Sequence, residues 1–167
     1  MQTVGSNVMR PLMNLIILCF VSNFCSGQKI RLSAASISNP TGTYKFEGKT
    51  KIRDGETFGY FGEIKVKLID TSRLAMSFYI CKGAPSYNSG SFVDTLDYKQ
   101  NIAVYKDHDH LQSACTVSFT FSKKKIEIKE SANYEYGTCW GHGVAAFGSF
   151  KKVSNNIPVI TDPITSE

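Results

Sequence analysis

The chain has 167 residues, 42% of them apolar and 12% aromatic, with 19 Lys and Arg against 14 Asp and Glu. That length fits one globular domain and excludes a large multidomain enzyme. A charged fraction of 20% beside 11 Phe and 8 Tyr excludes a disordered chain, and no Gly-x-y repeat points to collagen.

Residues 1–27 carry no acid, a single base at Arg10, an apolar run from Leu15 to Val21, and the small pair Ser26 and Gly27 before Gln28. This is the order of a signal peptide cleaved before Gln28. The run is far short of the roughly 20 apolar residues a spanning helix needs, so the sequence predicts a periplasmic or secreted protein without stable membrane insertion. Met9 or Met13 would serve equally well as the start. A lipid anchor on Cys25 is disfavoured because bulky Phe24 precedes it. The remaining 140 residues carry 18 bases and 14 acids, a charge of +4. Their basic runs, Lys123 to Lys125 and the pair Lys151 and Lys152, read as solvated turns. No Arg-rich stripe suggests nucleic acid.

The predicted strands follow in chain order. Thr43 to Glu47 is a weak strand, and Phe58 to Phe61 leads into Glu63 to Ile69, where Ile64, Val66 and Leu68 alternate with Glu63, Lys65 and Lys67. A period of two marks a half-buried strand. After a turn at Asp70 to Ser72, Leu74, Met76, Phe78 and Ile80 share one face, which leaves Cys81 on the other parity. Ser91 to Tyr98 and Ile102 to Tyr105 are weaker strands, with at most a short helical turn near Asn101. Val117, Phe119 and Phe121 then alternate with Thr116, Ser118 and Thr120, and after a lysine turn Ile126 and Ile128 return as the second strand of a hairpin. Val144 to Lys152 is the last strand, and residues 154–167 form a polar tail. The fold class is therefore all-β: a small antiparallel barrel or sandwich of about eight strands over residues 28–153.

Three cysteines remain after cleavage, Cys81, Cys115 and Cys139. An odd count in an oxidising compartment means one disulfide and one thiol, or an intermolecular pair. Of the three pairings, Cys115 with Cys139 is favoured, because one opens a hairpin strand and the other follows the returning strand at the same end of the sheet. Cys81 is then a free thiol or a dimer contact.

Groups that carry chemistry are sparse. Asp107, His108, Asp109 and His110 are four metal-ligand types in one run, but consecutive ligands rarely converge, and the run reads as a polar loop. No cysteine pair has zinc spacing. Asp94, Asp97 and Glu63 lie on strands without neighbours that mark a glycosidase acid pair, and no nucleophile elbow, zinc-protease motif or phosphate loop is present. No enzyme activity, cofactor or metal is expected. Two loops are more distinctive. Gly137 to Val144 sets the only tryptophan, Trp140, and His142 among three glycines. Trp140 is expected to plug the barrel end or to meet a partner with His142. The loop Lys82 to Ser91 offers Ser86, Tyr87 and Ser89, with Tyr87 as an amphipathic anchor.

Asn101, Ala103 and Tyr105, then Cys115 with Phe119 and Phe121, then Ile126 and Ile128, the run Cys139 to Val144, and Gly148 to Lys151 together resemble the C-terminal half of small exported bacterial β-barrel proteins. They are similar to the periplasmic and membrane-bound lysozyme inhibitors over about 65 residues, Phe92 to Lys152. The resemblance implies an eight-stranded antiparallel barrel, a Cys115–Cys139 disulfide, and a protruding loop, here Ser86, Tyr87 and Ser89, that blocks an enzyme cleft. The expected function is inhibition of a cell-wall hydrolase, either a lysozyme or a toxin against which the chain confers immunity. The alternative is a lipocalin-like barrel for a small apolar ligand.

Overall fold

The computed structural model describes residues 38–106, 115–131, 139–140 and 143–164. The predicted signal peptide, the Asp107 to His110 run and His142 lie outside the described residues.

Nine strands follow one another: β1 Gly42–Phe46, β2 Lys51–Arg53, β3 Glu56–Leu68, β4 Arg73–Gly83, β5 Ser89–Lys99, β6 Ile102–Lys106, β7 Thr116–Phe121, β8 Lys125–Ser131 and β9 Phe147–Ser154. Each lies antiparallel to its neighbours in the order β1-β9-β8-β7-β6-β5-β4-β3-β2, and β1 pairs again with β3. That second pairing closes eight strands into a barrel, with β2 as an added strand on the first residues of β3. The described residues contain no helix. The expected all-β class stands, as a barrel rather than a sandwich.

Alternation sets the register. Ile64 faces Phe78 and Val66 faces Met76 across β3 and β4, while Phe119 faces Ile128 across β7 and β8, and all six are buried. A slip of one residue would turn each of these sets to solvent. The inward side chains meet around Phe78, whose ring centroid lies 5.4 Å from that of Phe92, 5.7 Å from Phe119, 5.3 Å from Trp140 and 6.1 Å from Phe150. Aromatic rings prefer such offset and edge contacts, and truncating a buried Phe of this kind to Ala costs about 3–5 kcal/mol.

The barrel wall is thinnest between β5 and β6. Only Tyr98 with Ala103 and Lys99 with Ile102 are in register there. Farther along, the two strands part and the rings of Phe92 and Tyr105 stack at 4.0 Å across the gap. Asp94, on the inward parity of β5, is exposed as a result.

Several elements differ from expectation. The segments around Phe58 and Glu63 are one strand, β3, whose register with β4 shifts between Phe58 and Phe61. Gly59 and Tyr60 thus stand together opposite Lys82, a bulge. Gly59 adopts φ 95°, and a Cβ there would come within 2.6 Å of the Lys49 carbonyl oxygen. Strand β2 was not anticipated; Asp54 and Gly55, both left-handed, make its two-residue turn into β3. The turn at Asn101 is not helical. Gln100 and Asn101 have φ 53° and 62°, the reverse sign to a helix, as a tight hairpin turn requires. The last strand begins at Phe147 rather than Val144, because the chain before it is held by a side chain described below.

The turns sort to two ends. Asp70 to Ser72, Gln100–Asn101 and Ser122 to Lys124 share one end; the β4–β5 turn, the Cys115–Cys139 disulfide and Trp140 share the other.

Candidate binding rim

The β4–β5 turn, Ala84 to Asn88, is tied down on three sides. Its Ala84–Pro85 bond is cis. Ala84 N–H donates to the Thr57 carbonyl at 2.7 Å, Tyr87 N–H to the Gly83 carbonyl at 2.9 Å, and Lys82 N–H to the Asn88 carbonyl at 3.0 Å. The Thr57 N–H in turn donates to the Tyr87 hydroxyl oxygen at 3.1 Å. These bonds hold Tyr87 in a left-handed conformation, φ 49°, which costs a non-glycine residue energy and persists only where its surroundings impose it. Tyr87 as a whole is 41% exposed. Ser86 is exposed beside it, and Ser89 is half-buried at the start of β5.

Cys81 lies beneath this turn. It is a free cysteine and wholly buried, although its parity points away from the barrel interior. The turn folds over the outer face of β4 and covers it: Gly83 N–H donates to the Cys81 sulfur at 3.3 Å, and the thiol lies 3.5 Å from the Tyr87 carbonyl oxygen. Of the two expectations for Cys81, a free thiol or a dimer contact, the structure shows the free thiol, and its sulfur is buried. Period-two reasoning assigned the face correctly and missed what folds across it.

The Trp140 loop is pinned more heavily still. Cys139 is bonded to Cys115, with Cα atoms 5.4 Å apart, as the hairpin reading expected. Glu130, at the end of β8, accepts from Cys139 N–H with Oε1 at 3.1 Å and from Ala146 N–H with Oε2 at 2.5 Å. One carboxylate therefore spans the loop and holds the approach to β9, which is why ladder pairing starts only at Phe147. The Tyr60 hydroxyl donates to the Gly143 carbonyl at 3.3 Å. Trp140 itself is half-buried, packed on Phe78 and seated over Gly90. A Cβ on Gly90 would stand 2.3 Å from the indole. Trp140 thus plugs the barrel end and shows only part of its ring.

Trp140 and the Tyr87 turn converge. Gly90 follows that turn by two residues, and the Lys82 ammonium lies 3.6 Å from where a Cβ on Gly143 would stand. Two loops about fifty residues apart in sequence form one rim with an exposed phenol, a partly exposed indole and a lysine. His142 is the candidate whose place lies outside the described residues. Reasoning from sequence missed Glu130, Thr57, Tyr60 and Gly90. Glu130 left a readable signal, because it continues the inward parity of Ile126 and Ile128 as an acid; Thr57 acts through its backbone, Gly90 through the lack of a side chain, and Tyr60 through a hydroxyl that reaches a residue 83 positions away.

Glu63 sits between Lys45 at 3.0 Å and Lys65 at 3.5 Å, and Asp94 bonds the neighbouring Thr95 N–H at 2.6 Å. Among the described residues, no three His, Cys, Asp or Glu side chains gather as a metal site. Compared with known proteins, the chain matches no family model, no curated protein and no solved structure.

Proposed function

We propose that the protein is an exported binding protein, periplasmic or secreted, that inhibits a cell-wall hydrolase, either a lysozyme or a toxin delivered by a competing cell. The observation that carries this reading is the rim: an exposed Tyr87 on a turn held by four hydrogen bonds to β3 and β4, beside the disulfide-pinned Trp140. A pre-ordered loop loses little conformational entropy on docking, so more of its contact energy appears as affinity. Tyr and Trp are the side chains most often found to anchor such contacts. Lys82 at the rim suits the paired carboxylates of a glycoside-hydrolase cleft. The outward positions of β1, β3 and β8 carry Lys45, Glu63, Lys65, Lys67, Glu127 and Lys129, while Val93, Ile102, Val104 and Val153 are exposed on β5, β6 and β9. So many outward charges do not suit a wall that meets lipid all round. The alternative, a lipocalin-like carrier, has less support, because the rings around Phe78 occupy the space a ligand would need.

The test is a binding and lysis assay with residues 28–167 against lysozymes of several classes and hydrolases encoded beside the gene. A stoichiometric complex that stops lysis is expected. Tyr87→Ala or Trp140→Ala should weaken it at least about tenfold, the usual effect of removing an anchor, with Phe119→Leu inside the barrel leaving it unchanged. Absence of any complex at micromolar concentration, or loss only with the interior variant, overturns the reading.

A further inference from the structure

The end opposite the rim carries a second site. The β7–β8 turn and the end of β9 meet there, with Lys152 N–H donating to the Lys124 carbonyl at 2.8 Å. They enclose a groove of about 730 Å³ lined by Lys123, Lys124, Lys151 and Lys152, with Ser38, Asn39, Ser154 and Asn155 between them and no acid among the lining residues. Two basic runs that each read as a solvated turn are one feature in space.

Three observations set this cluster apart from ordinary surface lysines. Lys151 is in register with Lys45 on one side and Lys125 on the other, and like charges on adjacent strands oppose folding. Lys45 and Lys125 each have a carboxylate of their own, Glu63 and Glu127, whereas Lys123, Lys124 and Lys151 have none among the described residues. Lys152 is half-buried at the floor of the groove, its ammonium donating to the Thr41 carbonyl at 2.9 Å and lying 5.3 Å from the centre of the Tyr44 ring; burial lowers its pKa.

We propose that this groove binds a phosphate-bearing ligand through Lys123, Lys124 and Lys151. Compact ammonium groups bind phosphate as point charges without needing planar geometry. Several of them around one groove suit a diphosphate, or a phosphate ester with more than one anionic group, better than a carboxylate. The ligand is either a soluble phosphate compound or the headgroup of an anionic phospholipid.

The experiment titrates the chain with tripolyphosphate and follows backbone amides by NMR, alongside sedimentation with phosphatidylcholine vesicles with and without phosphatidic acid. Saturable shifts are expected at Ser38, Lys124 and Lys151 to Asn155, weakening as salt is raised. The double variant Lys124→Gln, Lys151→Gln should lose about tenfold in affinity or more, the scale of charge-assisted bonds, while Lys65→Gln, Lys67→Gln on the barrel wall should not. Sedimentation only with phosphatidic acid vesicles assigns a lipid source; tripolyphosphate binding without sedimentation assigns a soluble one. Shifts that never saturate, or equal losses in the groove and wall variants, overturn the proposal. Neither result bears on the rim, whose variants lie at the other end.

Discussion

The two ends of the barrel are built by different means. At the end with the lysine groove, short turns satisfy themselves, with Ile69 N–H donating to the Arg73 carbonyl at 3.0 Å and Ser122 N–H to the Lys125 carbonyl at 2.8 Å, and Phe121 N–H ties β7 to the neighbouring turn through the Asn101 carbonyl at 2.8 Å. The Tyr98 hydroxyl adds a tie to the Ser38 carbonyl at 2.9 Å. At the rim, the described residues between β8 and β9 are held by a disulfide, one carboxylate and one indole. Short turns leave strand ends free to carry charge, whereas long loops need covalent and side-chain ties before they can present a ring in a fixed place.

This contrast breaks most visibly at the disulfide. Cys115 and Cys139 are 24 residues apart, and opening a loop of that size costs about 3 kcal/mol on the chain-entropy estimate. Urea unfolding of the double Ser variant should show that loss, while amide exchange at the Gln100 and Ser122 turns stays native-like below the transition. An unchanged midpoint would mean that Glu130 and Trp140 hold the loop unaided. Next in size is Gly90→Ala. The added methyl lies inside the indole, so Trp140 must leave its seat, and overpacking of this kind costs about 1–3 kcal/mol. As Trp140 is the only tryptophan, its emission should shift to the red; an unshifted spectrum would sink the plug geometry.

Glu130→Gln comes third. The carboxylate accepts two N–H bonds with two oxygens, and an amide offers only one acceptor, so Cys139 or Ala146 is left unsatisfied at a cost of about 1–2 kcal/mol. Exchange at those two amides should rise before any other in the barrel. Equal protection in the variant would show that the loop is held by the disulfide alone.

Much of this was readable from residue order, for a specific reason. Where one face is buried and the other wet, as at Ile64 to Leu68 or Val117 to Phe121, side-chain chemistry repeats with the pleat and gives strand, register and core together. The Cys115–Cys139 pairing followed from that register. What escaped depends on backbone shape or on distance in sequence. Asp54–Gly55 was a hairpin signal whose strand, Lys51–Arg53, has no buried side chain to announce it. Gln100 and Asn101 take left-handed angles that composition does not reveal. Cys81 is buried by a turn that crosses the wrong face of its strand. The lysine groove and the meeting of Tyr87 with Trp140 are products of barrel closure, which joins β1 to both β3 and β9 and so brings distant turns to a common end.

The smallest expected effect tests the self-satisfied end. Asp70 accepts from Ser72 N–H at 2.8 Å, from the Ser72 hydroxyl at 2.9 Å and from Arg73 Nε at 2.9 Å. The Ser72 backbone bond, then the Arg73 side chain and the Ser72 hydroxyl, hold its pKa down at about 2, below the ordinary 3.8. A carboxylate lowered on folding stabilises the native state above its unfolded pKa, and that contribution is lost as pH falls from about 4 to about 2. Because the group is exposed, solvent screening keeps the effect small. Asp70→Asn should flatten the pH dependence of stability within that window and leave it unchanged at neutral pH. A carboxyl NMR titration of the parent protein with its midpoint near 4 would mean the turn does not hold its bonds in solution, and that this end, like the rim, depends on ties from elsewhere.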